Sequence, residues 1–299
     1  MFIADTHADT LFAMGVAHAT KLAITPERLR RGGVTLQTLA LWTGPEGNRG
    51  DVEAVVQAEL AQLPALEAAG LRQVDDPAQA HEGESCFMLS VEGGEVFEAG
   101  LHTVEAWRSR GVRIAALTWN HDNLLGHPAK SGSSEGLTPY GIQVVREMQR
   151  LGMAVDVSHL NEAGFWDLFA KGSRPPMASH SCVRSLCDHC RNLNDDQIEA
   201  MVQYGGYIGV NFYPAFLSED GQATARTVAE HIDCICQMGG AEIVGLGSDF
   251  DGIECAPRGL THPGDLPNLF NELRRMGYSE DAIAGIAGGN LRAYFQRIR

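Results

Sequence analysis

Two periodicities alternate along the chain. Short runs rich in β-branched and apolar residues recur, and each is followed by a stretch whose apolar residues fall three and four apart. The first pattern suits a buried strand, and the second suits a helix with one buried stripe. Phe2-Ile3-Ala4 predicts a short first strand. Thr25-Pro26 predicts a helix start, with threonine as N-cap and proline at the first helical position, and Gly32-Gly33 closes that helix. Val34 to Trp42 reads as the second strand. From Asp51 to Ala69 the residues Val52, Val55, Val56, Leu60 and Leu63 keep helical spacing, with Pro64 as a kink or break.

Six more strands are predicted, at Cys86–Val91, Val112–Leu117, Met153–Val157, Met177–Ser179, Tyr207–Phe212 and Ile243–Gly247. Helical patterns fill the gaps at Thr103–Arg110, Tyr140–Leu151, Asn161–Ala170, Asp195–Tyr204 and Thr224–Met238. A loop rich in glycine and serine spans Gly126 to Thr138. Two helices end the chain, the last capped by Ser279 with Glu280 and Asp281 in its first turn. Repeated strand–helix alternation predicts a parallel sheet with helices outside. Eight strands favour a closed (β/α)8 TIM barrel over an open sheet. No G-x-G-x-x-G follows the first strand, which counts against a dinucleotide fold. No linker or composition shift divides residues 1–299, so one barrel domain with extra C-terminal helices is expected. The 299 residues fit, since such a barrel needs about 250.

Composition narrows the function classes. Apolar residues make up 44% and charged residues 20%, an ordinary globular balance. The net charge of −15 repels phosphate backbones and argues against a nucleic-acid partner. The N-terminal residues lack the basic and apolar regions of a signal peptide, and no apolar run is long enough to cross a bilayer. Seven cysteines, an odd number without framework spacing, suit free thiols in a reducing compartment, so a cytoplasmic location without membrane attachment is expected. Cys187-Asp188-His189-Cys190 is a lone C-x-x-C and reads as incidental loop cysteines.

Candidate chemistry lies where the strands end. Strand one ends in His7-Ala8-Asp9, strand three in Glu92-Gly93-Gly94 and strand five in Asp156-Val157-Ser158-His159. Strand six ends in Ser179-His180-Ser181 and strand eight in Ser248-Asp249-Phe250-Asp251. In a barrel all these ends meet at one face, which carries the active site. Residues two apart in an extended strand point the same way, so His7 and Asp9 can share one metal. Glu92 can bridge to a second ion completed by His159 and His180. Such a pair of ions would lower the pKa of a bridging water enough to make hydroxide near neutral pH. Asp249 follows a Gly-Leu-Gly-Ser run and can pass a proton from the attacking water to the leaving amine. Arg191 offers a planar guanidinium suited to a carboxylate. Taken singly, each residue has an ordinary reading as a capping, turn or surface group. Those readings do not explain why five segments deliver such groups to the same end.

Several motifs occur together and in order: His7-Ala8-Asp9, Val91-Glu92-Gly93-Gly94, Leu117-Thr118-Trp119-Asn120, Asp156-Val157-Ser158-His159, Ser179-His180-Ser181, Arg191-Asn192-Leu193-Asn194-Asp195-Asp196 and Gly247-Ser248-Asp249-Phe250-Asp251-Gly252. In that order they resemble the renal (membrane) dipeptidase family, and Gly289-Asn290-Leu291-Arg292 is similar to its tail. The resemblance runs from residue 3 to residue 295. It implies an amidohydrolase-type barrel with two zinc ions and dipeptidase activity, including L-Xaa-D-Xaa substrates. His7 and Asp9 would bind one zinc, Glu92 would bridge, and His159 and His180 would bind the other. Asp249 would be the proton shuttle, Arg191 would hold the terminal carboxylate, and Tyr213 would line the pocket. Homodimers are common among similar proteins. The mammalian members also carry a leader and a lipid anchor, features not transferred to this chain.

One departure stands out. The mammalian members place a histidine after the Leu-Thr of strand four, against the scissile carbonyl, and this chain has Trp119. An indole cannot give the same help to a developing oxyanion. His121 or Asn120 are the nearby replacements, and the substituted position leaves a second substrate class open: N-acyl-amino acids, or another small amide or lactone. A non-catalytic barrel that binds a ligand is the third reading, and the intact set of candidate ligands plus Asp249 argues against it.

Overall fold

Strand β1, Ala4–Asp5, is two residues long, yet its ladder starts earlier: the Ile3 carbonyl accepts from the backbone N–H groups of Thr35 and Leu36. Phe2, read from the sequence as part of this strand, instead packs beneath it. Eight strands close a ring, every pair parallel. They are β1, β2 (Leu36–Trp42), β4 (Cys86–Glu92), β5 (Val112–Ala116), β6 (Ala154–Asp156), β7 (Met177–Ala178), β8 (Tyr207–Val210) and β9 (Val244–Leu246). Strand β3, Arg72–Gln73, lies outside this ring and, among the described residues, pairs with the start of β4. The computed structural model describes residues 1–44 and 51–299. The expected (β/α)8 TIM barrel is thus the fold, and all eight strands read from the sequence are present within a few residues of their expected bounds.

The helices follow local signals. Thr25 caps Pro26–Gly32 through its side chain, and Gly33 ends that helix in the left-handed region. Pro64 breaks the long helical pattern into Val52–Leu60 and Leu63–Ala68, with the proline in the first turn of the second piece. Asn161 and Ser279 cap their helices as N-cap side chains. Three helices end the chain rather than two, because helical geometry breaks at Gly288 and resumes at Asn290–Arg297. Helices Thr10–Gly15 and Pro214–Leu217 were not expected; six and four residues are too short for a periodic stripe.

The last helix closes the barrel floor. Phe2, Leu36, Met177 and Tyr207 begin or precede their strands, and they pack with Leu291, Tyr294 and Phe295. Arg292 lies over the Phe2 ring at 3.5 Å, and the Tyr294 hydroxyl donates to the Pro175 carbonyl at 3.0 Å. Asn290 donates to the carbonyls of Ala241 and Val244 and fixes the start of β9. With the floor sealed, the open end of the barrel is the C-terminal end of the strands. No helix among the described residues is long and apolar enough to cross a membrane.

Candidate active site

Beyond β1 the chain keeps its course: Asp9 N–H donates to the Phe250 carbonyl and Asp249 N–H to that of His7. This ladder sets His7, Asp9 and Asp249 side by side. Asp5 lies below them and accepts from the backbone and hydroxyl of Ser248 and from His7 N–H. Asp156 repeats the device two strands away from β8, accepting from the backbone and hydroxyl groups of both Ser158 and Ser179. Each buried carboxylate ties two strand ends together just beneath the residues they carry.

The clamp also fixes the His180 ring. The only hydroxyl proton of Ser179 goes to Asp156, so Ser179 Oγ accepts from His180 Nδ1–H at 2.7 Å. The Asn120 side-chain oxygen lies 3.2 Å from Nδ1 of His159 and suits the same tautomer there. Both rings therefore present an Nε2 lone pair to the barrel axis. Burial, followed by the charges of Arg191 and His7, holds both imidazoles well below their usual pKa, as neutral rings.

Glu92 lies between two groups of imidazoles. Its Oε1 is 2.8 Å from His159 Nε2 and 3.4 Å from His180 Nε2, while Oε2 is 3.7 Å from His7 Nε2. His7 Nε2 is also 3.5 Å from Asp9 and 3.8 Å from Asp249. Burial presses against charge on His7, but Glu92, Asp9 and Asp249 outweigh it and raise its pKa to about 10. Burial raises Glu92 well above the ordinary range and Asp249 to about 7, with Asp9 adding to both. This is what carboxylates do when crowded out of water without enough positive charge.

The donor set fits cations. His7 Nε2 and Asp9 Oδ1 are buried and have no hydrogen-bond partner, an expensive condition unless something fills the space between them. Two groups, His7–Glu92–His180 and His7–Asp9–Asp249, each bring one ligand atom per residue within 4.8 Å of the others. Nitrogen and carboxylate oxygen are the ligands zinc takes readily. Gly252 is needed beside them, since a Cβ there would lie 1.9 Å from an Asp9 oxygen and 2.7 Å from an Asp249 oxygen. Asp249 itself has a left-handed backbone, φ 62°, and its Oδ2 accepts from the Asn211 amide at 2.9 Å.

Above this cluster opens a cavity of about 420 Å³, within the range of small-molecule sites. Arg191 is buried in its wall, with both terminal guanidinium nitrogens lacking a partner and its carbon 5.5 Å from the Phe216 ring centre. The segment that carries it closes on itself through Arg184–Leu193 and Leu193–Cys182 backbone bonds, and Asn192 ties it to Phe216. Tyr213 and Trp119 line the same cavity. His121 does not; it is exposed and backs the Trp119 ring at 5.7 Å, and Asn120 is the residue of that loop that reaches His159. Cys187 and Cys190 are free thiols, as are the other five cysteines.

The sequence reading missed Phe12, Trp42, Asn211 and Phe216, which also shape the site. Trp42 carried a signal, since it ends a predicted strand next in register to Glu92. The other three had none beyond their neighbours.

The fold and this mouth define a metallopeptidase-type barrel hydrolase, and comparison with known proteins agrees. The family described as membrane dipeptidase (peptidase family M19) matches residues 1–298. The chain belongs to that family. A metallo peptidase from Rhodobacter sphaeroides, solved with a phosphinate mimic of the dipeptide L-Ala-D-Ala, is 25% identical, covers 100% of this chain and 99% of its own, and superposes with a TM-score of 0.88. An uncharacterized protein from the pqqA 5′ region of Klebsiella pneumoniae is 36% identical over 75% of this chain and 87% of its own length. Dipeptidase aclJ of Aspergillus oryzae is 34% identical over 70% of this chain. The chain spans about half the length of the fungal relatives it matches.

Proposed function

We propose that residues 1–299 act as one catalytic domain that hydrolyses small dipeptides with the help of two zinc ions. The observation that carries this reading is Glu92, whose two oxygens face different imidazole groups, His159 and His180 on one side and His7 on the other. In this reading His7 and Asp9 would hold one ion, His159 and His180 would hold the second, and Glu92 would serve both. The ions would supply Lewis acidity and lower the pKa of water at the cluster.

The chain's own groups do the rest. Arg191 is desolvated and unpartnered, and it grips the substrate's terminal carboxylate through Nη1 and Nη2. That anchor lays the peptide bond across the cluster. Asp249 is pinned by Asn211 through Oδ2, so Oδ1 is the edge left facing His7. It takes a proton from the attacking water and returns it to the leaving amine nitrogen. Tyr213 and Trp119 form walls of the pocket, and His121 supports Trp119 from behind. The acceptance of an L-Ala-D-Ala mimic by the Rhodobacter sphaeroides relative supports L-Xaa-D-Xaa substrates here. Seven free cysteines support a cytoplasmic place of action.

Trp119 favours a second reading, in which N-acyl-amino acids are the substrates: they keep the carboxylate for Arg191 and meet an apolar wall. Metal analysis followed by a panel of L-Xaa-D-Xaa, L-Xaa-L-Xaa and N-acyl substrates separates the two. Dipeptide turnover that chelation abolishes and zinc restores is the expected result. Turnover of N-acyl compounds alone removes the dipeptidase reading, and full activity in metal-free protein removes both.

A further inference from the structure

Arg191 is held by a segment without regular structure of its own. Residues 179–194 join β7 to the helix Asp195–Tyr204 and contain neither helix nor strand. They fold back so that Val183 lies beside Leu193 in an isolated parallel bridge. His231, on the helix Ala225–Ile235, reaches this fold and is 1% exposed. Its Nδ1 accepts from Val183 N–H at 3.1 Å. A ring nitrogen that accepts carries no proton, so the proton is on Nε2, which donates to the Leu217 carbonyl at 3.0 Å. Burial outweighs the Leu217 carbonyl and Glu230 and lowers the pKa of this imidazole, which keeps it neutral. Leu217 ends the short helix Pro214–Leu217, and its neighbour Phe216 packs against the His189 ring at 4.5 Å and the Arg191 guanidinium at 5.5 Å. Asn192 ties the same two segments again, donating to the carbonyls of Cys187 and Phe216, both at 2.8 Å.

We infer that His231 is a positioning residue for Arg191: by bracing Val183 and Leu217 at once, it aims the guanidinium into the substrate cavity. This rests on the dipeptidase reading in one respect, that Arg191 takes the C-terminal carboxylate. His231 does not line that cavity; it lines a separate one, with Cys234 and Gln237. Its effect therefore passes through the two segments it braces. A guanidinium grips a carboxylate through two parallel bonds, so its direction matters as well as its charge. A displacement of about 1 Å can cost about a hundredfold in rate. Without the imidazole, the buried Val183 N–H loses its acceptor, and the segment must shift to find another.

The two bonds can be cut one at a time. His231→Gln places an amide near the Nε2 position, where it can still serve Leu217, and loses the bond to Val183. His231→Asn keeps an acceptor near the Nδ1 position for Val183 and loses the bond to Leu217. The test measures kcat and KM on the zinc-loaded enzyme for L-Ala-D-Ala and for its C-terminal amide, which offers Arg191 no carboxylate. In His231→Gln, KM for L-Ala-D-Ala is expected to rise by about tenfold or more with kcat within about threefold, and the acid-to-amide ratio of kcat/KM should shrink to match. His231→Asn should shrink that ratio by about threefold, and it serves alone if the glutamine variant does not fold. A merely structural role would slow acid and amide by the same factor, so a folded variant of either kind that keeps the wild-type ratio overturns the proposal. Amide hydrogen exchange reads the brace without any substrate: residues 182–193 should exchange faster in His231→Gln, and unchanged exchange there sinks it. If wild type hydrolyses no dipeptide, or turns over acid and amide alike, the reading of Arg191 fails by itself and the exchange result still decides the brace.

Discussion

At the barrel floor, Phe2, Tyr207, Tyr294 and Phe295 bury large rings against one another. At the mouth, His7 Nε2, Asp9 Oδ1 and both terminal nitrogens of Arg191 are equally deep, yet lack partners. The floor gains stability from apolar surface removed from water. The mouth gives some of it up, by concentrating Asp9, Glu92 and Asp249 where burial raises the pKa of Glu92 and Asp249. A parallel barrel allows this division because every strand starts at one end and finishes at the other. Stability and chemistry can then be placed about a strand's length apart on the same elements.

Substitutions should separate the two ends, and the largest effect is expected at Glu92. Glu92→Gln removes the carboxylate shared by both imidazole groups, and zinc content and dipeptide turnover should both fall to background. A variant that keeps two zinc ions and full rate would show that Glu92 is not a shared ligand. Asp249→Asn comes next, with kcat lower by about 10²–10⁴-fold. Its folding should be intact, and unchanged kcat would remove the proton-transfer role.

At the floor, Phe295→Ala should cost about 3–5 kcal/mol in stability, read by denaturant unfolding, with kcat/KM unaltered at temperatures where the variant stays folded. If activity fell in parallel, the two ends would not be independent. Asp156→Asn weakens the clamp under His159 and His180 while leaving the ring nitrogens in place, and zinc affinity should fall about 10–100-fold.

The smallest effect concerns Glu59, behind Trp42. Burial raises its pKa to about 9, with Asp9 and Glu92 adding to the shift. A raised carboxyl stabilises the fold below its unfolded pKa, and that contribution is lost as pH climbs toward the folded value. Glu59→Gln keeps an acceptor for the Trp42 N–H and removes the titration. In metal-free protein the Tm of the variant should therefore approach wild type near pH 5 and exceed it by a growing margin toward pH 8. A margin that does not change with pH would show Glu59 to be ionised throughout.

The sequence was legible where a rule is local. Thr25 and Ser279 announced helix starts because a capping side chain reaches only three residues ahead. His7 and Asp9 were visible because strand alternation puts residues two apart on one face. Trp119 showed as a departure from the family pattern, but its contact with Trp42, and that of Trp42 with Phe12, did not show. Trp42 ends another strand and Phe12 sits in a six-residue helix, so both contacts join segments far apart in the chain. Asn211 was missed for the same reason: its contact with Asp249 spans 38 residues.

The order of the eight barrel strands, the closed parallel barrel and the face that carries His7, Asp9, Glu92, His159, His180 and Asp249 were thus set by the chain's own pattern. Periodicity and strand polarity are properties of short segments. Tertiary structure alone decided that Glu92 turns one oxygen to each imidazole group, that Ser179 orients His180 through Asp156, and that Trp42 and Arg191 line one cavity. These depend on distances between segments far apart in the chain, and such distances are fixed only when the ring of strands closes.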